Sequence, residues 1–185
     1  MTAAGSVTAD ERLRLFLGLR LPGPVLDAIA AWQAGHLPGR VRAVPREHLH
    51  ITLAFLGHRP AGELDVIVAA LRSAAAEAPA AMRLAPGRYR ETRSVAMVVL
   101  DDLDGAATAF AGDLQGRLEA LGVYRREGRS WLPHVTVARF RERPGLRLEP
   151  PRMGTFVPSD AAAYLSRLHP GGARYEVLES VALGG

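Results

Sequence analysis

Cysteine, lysine and asparagine are all absent from this chain of 185 residues. Without cysteine there is no disulfide framework, no thiolate metal site and no thiol nucleophile. Every one of the 23 basic residues is therefore an arginine. Without lysine there is no Schiff base, no lysyl-adenylate and no phosphate-loop lysine, which excludes an ATP-dependent ligase or a Walker-type NTPase. Long apolar runs are missing too. The longest, at 66–71 and 95–100, fall well short of the roughly 18 residues a membrane helix needs. The apolar stretch at 13–21 is interrupted by Arg14 and Arg20, unlike a secretory signal. The expectation is a soluble cytoplasmic protein with no membrane partner.

What is present is 48% hydrophobic and 23% charged, enough for one sizeable core. The formal charge of +4 is unevenly spread. Between positions 125 and 152 lie Arg125, Arg126, Arg129, Arg139, Arg141, Arg143, Arg147 and Arg152, against Glu127, Glu142 and Glu149. Guanidinium forks match planar anions, so this excess would attract phosphates or carboxylates as well as form a solvated surface.

Periodicity gives an alternation of strands and helices. Residues 13–21 read as a buried strand, broken by Pro22-Gly23-Pro24, which seeds a helix with Val25, Leu26, Ile29 and Trp32 at helical spacing. Strands are expected at 48–56, 82–89, 94–100, 132–140, 162–168 and 175–183. Two further helices are expected, one over 64–78 and one with Phe110, Leu114, Leu118 and Leu121 on a single stripe.

The halves repeat. Strand and helix lead to His50-Ile51-Thr52 in the first, and strand and helix lead to His134-Val135-Thr136 in the second, 84 residues later. The expectation is one bilobal domain over 1–185, with a first repeat near 13–90 and a second near 94–183, and a site in the cleft between lobes.

On a strand, residues two apart share a face. His50 and Thr52 are thus neighbours, with Ile51 and Leu53 turned into the core, and His134 and Thr136 repeat the pattern between Val135 and Val137. One such histidine is ordinarily a core residue; two at matching positions are not. Imidazole exchanges protons near neutrality, so two facing rings form an acid–base pair, and the hydroxyls beside them suit phosphate oxygens. That equipment fits in-line cleavage of a phosphoester. Arg139, three residues after Thr136, is either a rim charge or a phosphate ligand. Phe16 is a candidate for stacking on a base or for the core. His48 reads as sharing the face of His50, but no Asp or Glu at ligand spacing completes a metal site. His36, His58 and His169 fall in loops or turns.

The stretches Pro45-Arg46-Glu47-His48-Leu49-His50-Ile51-Thr52-Leu53-Ala54-Phe55-Leu56-Gly57 and Leu132-Pro133-His134-Val135-Thr136-Val137-Ala138-Arg139 resemble the paired His-x-Thr motifs of the 2H phosphoesterases. The likeness is greatest to the RNA 2′,3′-cyclic phosphodiesterase branch, formerly described as 2′-5′ RNA ligases. It extends to Arg14-Leu15-Phe16-Leu17-Gly18-Leu19 and to Gly172-Ala173-Arg174-Tyr175-Glu176-Val177-Leu178.

The resemblance implies an α+β fold of two mainly antiparallel sheets flanking a central cleft, with helices outside. It implies no metal and no cofactor. The implied reaction opens a terminal 2′,3′-cyclic phosphate to a 2′-phosphate, with His50 as proton donor and His134 as proton acceptor. Thr52 and Thr136 would hold phosphate oxygens, and Arg139 would stabilise charge. His48 stands where the family often has asparagine. The substrates would be RNA ends or small cyclic-phosphate nucleotides such as an ADP-ribose cyclic phosphate, and the protein a monomer. A non-catalytic RNA-binding module is the alternative from another class.

Overall fold

A computed structural model describes residues 11–79 and 81–184. The elements run β1 (Arg12–Arg20), α1 (Gly23–His36), β2 (Arg42–Ala43), β3 (His50–Pro60), α2 (Leu64–Ala76), β4 (Leu84–Glu91), β5 (Val95–Asp102), α3 (Ala106–Ala120), β6 (His134–Arg139), β7 (Asp160–Arg167) and β8 (Arg174–Val181). Pro22 and Pro24 bracket the start of α1, where a missing N–H costs nothing.

All pairings are antiparallel, in the order β4-β5-β6-β3-β1-β7-β8, with β2 also on β6. The two expected sheets are the arms of this one sheet. Between β3 and β6 only Ile51 and Val135 are paired, and the strands part on either side.

The arms do not coincide with the halves of the chain. β4, from the first half, pairs with β5, while β7, from the second, pairs with β1. This exchange is itself symmetric: β1, β3 and β4 correspond to β5, β6 and β7. The symmetry ends where α2 has no counterpart. The chain between β6 and β7 is irregular instead, and it carries Arg141, Arg143, Arg147 and Arg152.

The main core lies on the helical side. Ile51, Leu53, Val135 and Val137 are at most 1% exposed and join Ile29, Ile67, Leu71, Phe110, Leu114 and Leu118. Leu121, expected on the α3 stripe, lies just beyond the helix end and is exposed. On the opposite face Phe16, Ala162 and Tyr164 form a small separate cluster with Tyr175 packed on it. Among the described residues no helix is long and apolar enough to cross a membrane.

Candidate active site

Because Ile51 and Val135 pair and both turn toward the helices, the residues flanking them turn the other way. His50, Thr52, His134 and Thr136 therefore share the helix-free face, on adjacent strands, at the one described strand pairing between β3 and β6. All four are half-buried.

Each histidine is held in the same manner. His50 Nδ1 lies 2.7 Å from the carbonyl oxygen of His48, and His134 Nδ1 lies 2.8 Å from that of Leu132. A carbonyl can only accept, so each Nδ1 carries the proton and donates it. Each Nε2 is left for chemistry. His50 Nε2 is 3.1 Å from Thr52 Oγ1, so its lone pair accepts from the threonine hydroxyl.

Both motifs are followed by a β-bulge at the third residue after the histidine. Along β3, Thr52 pairs with Gly18 and Ala54 with Leu17, which leaves Leu53 as the extra residue. Along β6, Thr136 pairs with Met97 and Ala138 with Ala96, which leaves Val137 extra. Bulges bend and twist a strand and re-aim its side chains. At each bulge a buried glutamine from the helix of the other half binds the carbonyl of the extra residue. Gln115 of α3 donates to Leu53 O at 2.8 Å. Gln33 of α1 donates to Val137 O at 2.7 Å and to Val44 O at 3.0 Å. These are the chain's only glutamines, 17 and 19 residues before the two histidines. That spacing is the signal by which the sequence could have revealed them. Trp131 adds a further cross-link, its Nε1 donating to Thr52 O at 3.0 Å.

Around His50 the setting is aromatic. Its ring centroid lies 4.8 Å from that of Phe16, 5.5 Å from Tyr175 and 5.7 Å from Tyr164. Burial pushes the His50 pKa down to about 4, opposed by the bond to the His48 carbonyl and reinforced by the nearness of other basic groups, His134, Arg139 and His48. Gly18 leaves room for this ring. A Cβ there would stand 2.9 Å from the Ile51 carbonyl oxygen and 3.3 Å from His50 Cδ2.

Two sequence expectations change. Phe16 is not a platform for a base: it is 3% exposed, stacked on Tyr164 at 4.6 Å and 6°, and edged by Tyr175 at 4.9 Å. It supports the His50 ring. His48 does not share a strand face with His50, because Arg46–His48 is a short 3-10 turn and the strand begins at His50. Its part is to supply the carbonyl that orients His50, with its ring against Tyr175 at 4.8 Å. Arg139 sits at the end of β6, exposed, and lines a recess with His48 and Tyr175.

A family model for the 2′-5′ RNA ligase superfamily matches residues 21–169, a span that includes both His-x-Thr motifs. The chain belongs to that superfamily. Within it, the chain is 34% identical over 182 residues to an RNA 2′,3′-cyclic phosphodiesterase of Thermus thermophilus, covering 94% of this chain and 91% of the relative. An Escherichia coli protein of the same name is 27% identical over 191 residues, covering 94% and 98%. Among solved structures, a Thermus thermophilus protein superposes with a TM-score of 0.79 at 30% identity, covering 94% of this chain and 99% of that one. The E. coli LigT complex with 3′-AMP also gives 0.79, at 23% identity and with 95% and 100% coverage, a likeness of fold.

Proposed function

We propose that this superfamily member is a cytoplasmic, monomeric enzyme that hydrolyses the terminal 2′,3′-cyclic phosphate of RNA to a 2′-phosphate. The observation that carries the reading is the paired His-x-Thr geometry. Two imidazoles, each with Nδ1 bound to the carbonyl two residues earlier, present Nε2 to one face where the arms meet. The names of the curated relatives support the substrate class. The duplicated unit is taken as 13–90 and 94–183, a division supported by the matched strand exchange.

In this mechanism His134 Nε2 takes a proton from water as the water oxygen bonds to phosphorus. The bond from phosphorus to the 3′-oxygen breaks in line, and His50 Nε2 delivers a proton to that oxygen. Thr52 and Thr136 donate hydrogen bonds to the non-bridging oxygens, and Arg139 faces the charge that grows on them. The two imidazoles end with protons exchanged and re-equilibrate with solvent. In the free protein His50 is held neutral by burial and by the basic groups around it, Arg139 among them. A bound phosphate diester anion offsets that positive field, so the donor proton is acquired with the substrate rather than before it.

The test is to incubate the protein, in excess EDTA, with an oligoribonucleotide ending in a 2′,3′-cyclic phosphate, and to identify the product isomer against 2′- and 3′-phosphate standards. The expected product is the 2′-phosphate, formed at an undiminished rate in chelator. A 3′-phosphate product, dependence on added metal, or turnover unaffected by His134→Ala overturns the reading. RNA binding without product, unaltered in the His50→Ala/His134→Ala variant, replaces it with a binding module.

A further inference from the structure

Beside the histidines, the irregular chain after β6 and the segment before β2 enclose an open groove of about 740 Å³, lined by Arg40, Arg42, Arg139, Arg141 and Arg143 with Glu142 as the one acid. Arg42 and Arg139 are paired directly across β2 and β6. Like charges facing each other on adjacent strands are destabilising unless something neutralises them. No described carboxylate does so. Arg40, Arg42, Arg139 and Arg141 take part in no ion pair with another described residue, and Arg143 alone is bound, to Glu91 at 3.1 Å.

On the other arm Arg20, Arg59, Arg72 and Arg167 each meet an aspartate or glutamate. Arg12, Arg14 and Arg174 there have no carboxylate partner among the described residues, but Arg12 is bound to the His58 carbonyl, Arg14 to Ser166 and the Phe55 ring, and none of the three lines the groove. The row of arginines that shares one groove therefore lies on one side of the site.

The groove wall is built rather than loose. Glu91, its side chain buried beneath, accepts from the backbone N–H of Gly145 and Leu146 at 3.0 and 2.9 Å and from Tyr89 Oη at 2.8 Å. Farther along, Trp32 Nε1 holds Glu149 O at 2.9 Å. The groove is also continuous with the site. Arg42 and Arg139 line both it and the recess containing His48 and Tyr175, and the Tyr175 ring lies against His50.

We infer that this groove binds the internucleotide phosphates of the RNA on the 5′ side of the cyclic end, and so selects oligoribonucleotides over mononucleotides. The inference rests on the cyclic phosphodiesterase reading. A reacting phosphate at the 3′ terminus has every other phosphate of the strand on one side of it, which is what a one-sided row of unneutralised guanidiniums fits. A nucleoside cyclic monophosphate leaves the groove empty. Contacts to phosphates carry no base sequence, so the selection is for chain length and not for sequence.

The experiment compares the protein with its Arg40→Ala/Arg141→Ala variant on two substrates, a hexaribonucleotide ending in a 2′,3′-cyclic phosphate and a nucleoside 2′,3′-cyclic monophosphate. Both arginines are exposed and line only the groove. Expected is a loss of about tenfold or more in kcat/KM on the hexamer, carried in KM, with the mononucleotide changed less than about twofold. The dependence of log kcat/KM on log salt should also become shallower by about 1.4, two phosphates at roughly 0.7 each for a single strand. Equal losses on both substrates, or none on the hexamer, overturn the groove and leave the reaction standing. If the parent turns over neither substrate, the reaction itself is wrong. The groove is then judged by anisotropy of a labelled hexamer ending in 2′-phosphate: weaker binding by the variant upholds a polyanion groove, and equal binding removes it.

Discussion

In the first half of the site His50 lies among Phe16, Tyr164 and Tyr175; in the second, no aromatic ring among the described residues pairs with His134. The backbone treatment of the two is nonetheless the same: a carbonyl two residues back on Nδ1, a core residue between histidine and threonine, a bulge at the third position, and a glutamine from the opposite half. The backbone of the two motifs thus supplies matched geometry, and the unlike residues of the flanking strands supply unlike electrostatics. Tyr164 shows how dry the His50 side is, its own pKa pushed up to about 12 by burial. In the free protein that inequality disfavours a proton on His50, so its part as donor depends on the bound substrate anion favouring the charged ring.

The largest test of this contrast removes each ring in turn. His50→Ala and His134→Ala are each expected to lower kcat by about 10²–10⁴, with the double variant little worse than either single one, because both act on one displacement. A substrate with sulfur in place of the 3′-bridging oxygen then separates them. A thiolate leaves without being protonated, so it should restore His50→Ala to within about tenfold of the parent and do nothing for His134→Ala. Rescue of His134→Ala instead would exchange donor and acceptor between the halves.

The glutamine braces offer a milder way to unbalance the comparison. In Gln115→Leu the buried Leu53 carbonyl loses its side-chain donor, at an expected cost of about 1–3 kcal/mol in chemical denaturation. Gln33→Leu should cost less, because Val137 O keeps a bond from Val44 N–H at 2.9 Å and the other carbonyl it releases, Val44 O, belongs to a residue that is only half-buried. Each variant loosens the motif of the half it does not belong to. A fall in kcat well beyond the loss in folded protein is expected for both, and equal stability losses would mean that the fallback bond has no effect.

Much of this arrangement was legible before any coordinates, for reasons particular residues explain. Ile51, Leu53, Val135 and Val137 fix the faces of their strands by apolar alternation, so the side that His50, Thr52, His134 and Thr136 occupy followed from a period of two. Strand exchange between the halves did not, because β4 and β7 are short runs with nothing in their own residues to name a partner. For Phe16 the sequence leaves base stacking and the core both open, since a single aromatic on a strand gives no sign of what stacks on it, and Tyr164 lies 148 residues away. His48 was placed on the strand because Pro45, three residues earlier, was not read as opening a turn. β2 has two residues and no apolar pattern, so the facing of Arg42 and Arg139 emerges only from pairing.

The smallest effect concerns acid stability. His50 has a folded-state pKa of about 4 against an ordinary value of 6.5, so between those pH values the unfolded chain binds the proton more readily. The stability tied to a neutral His50 is complete above about pH 6.5 and is lost as pH falls toward 4. The full shift corresponds to roughly 3 kcal/mol, and solvent in the open cleft reduces this to about 1–2 kcal/mol. His50→Gln, which cannot be protonated, should lose less stability than the parent on going from pH 7 to pH 4.5, as read from urea midpoints at the two values. Parallel pH dependence in the two proteins would mean that the aromatic side does not desolvate His50. The inequality between the halves would then have to arise from the charges alone.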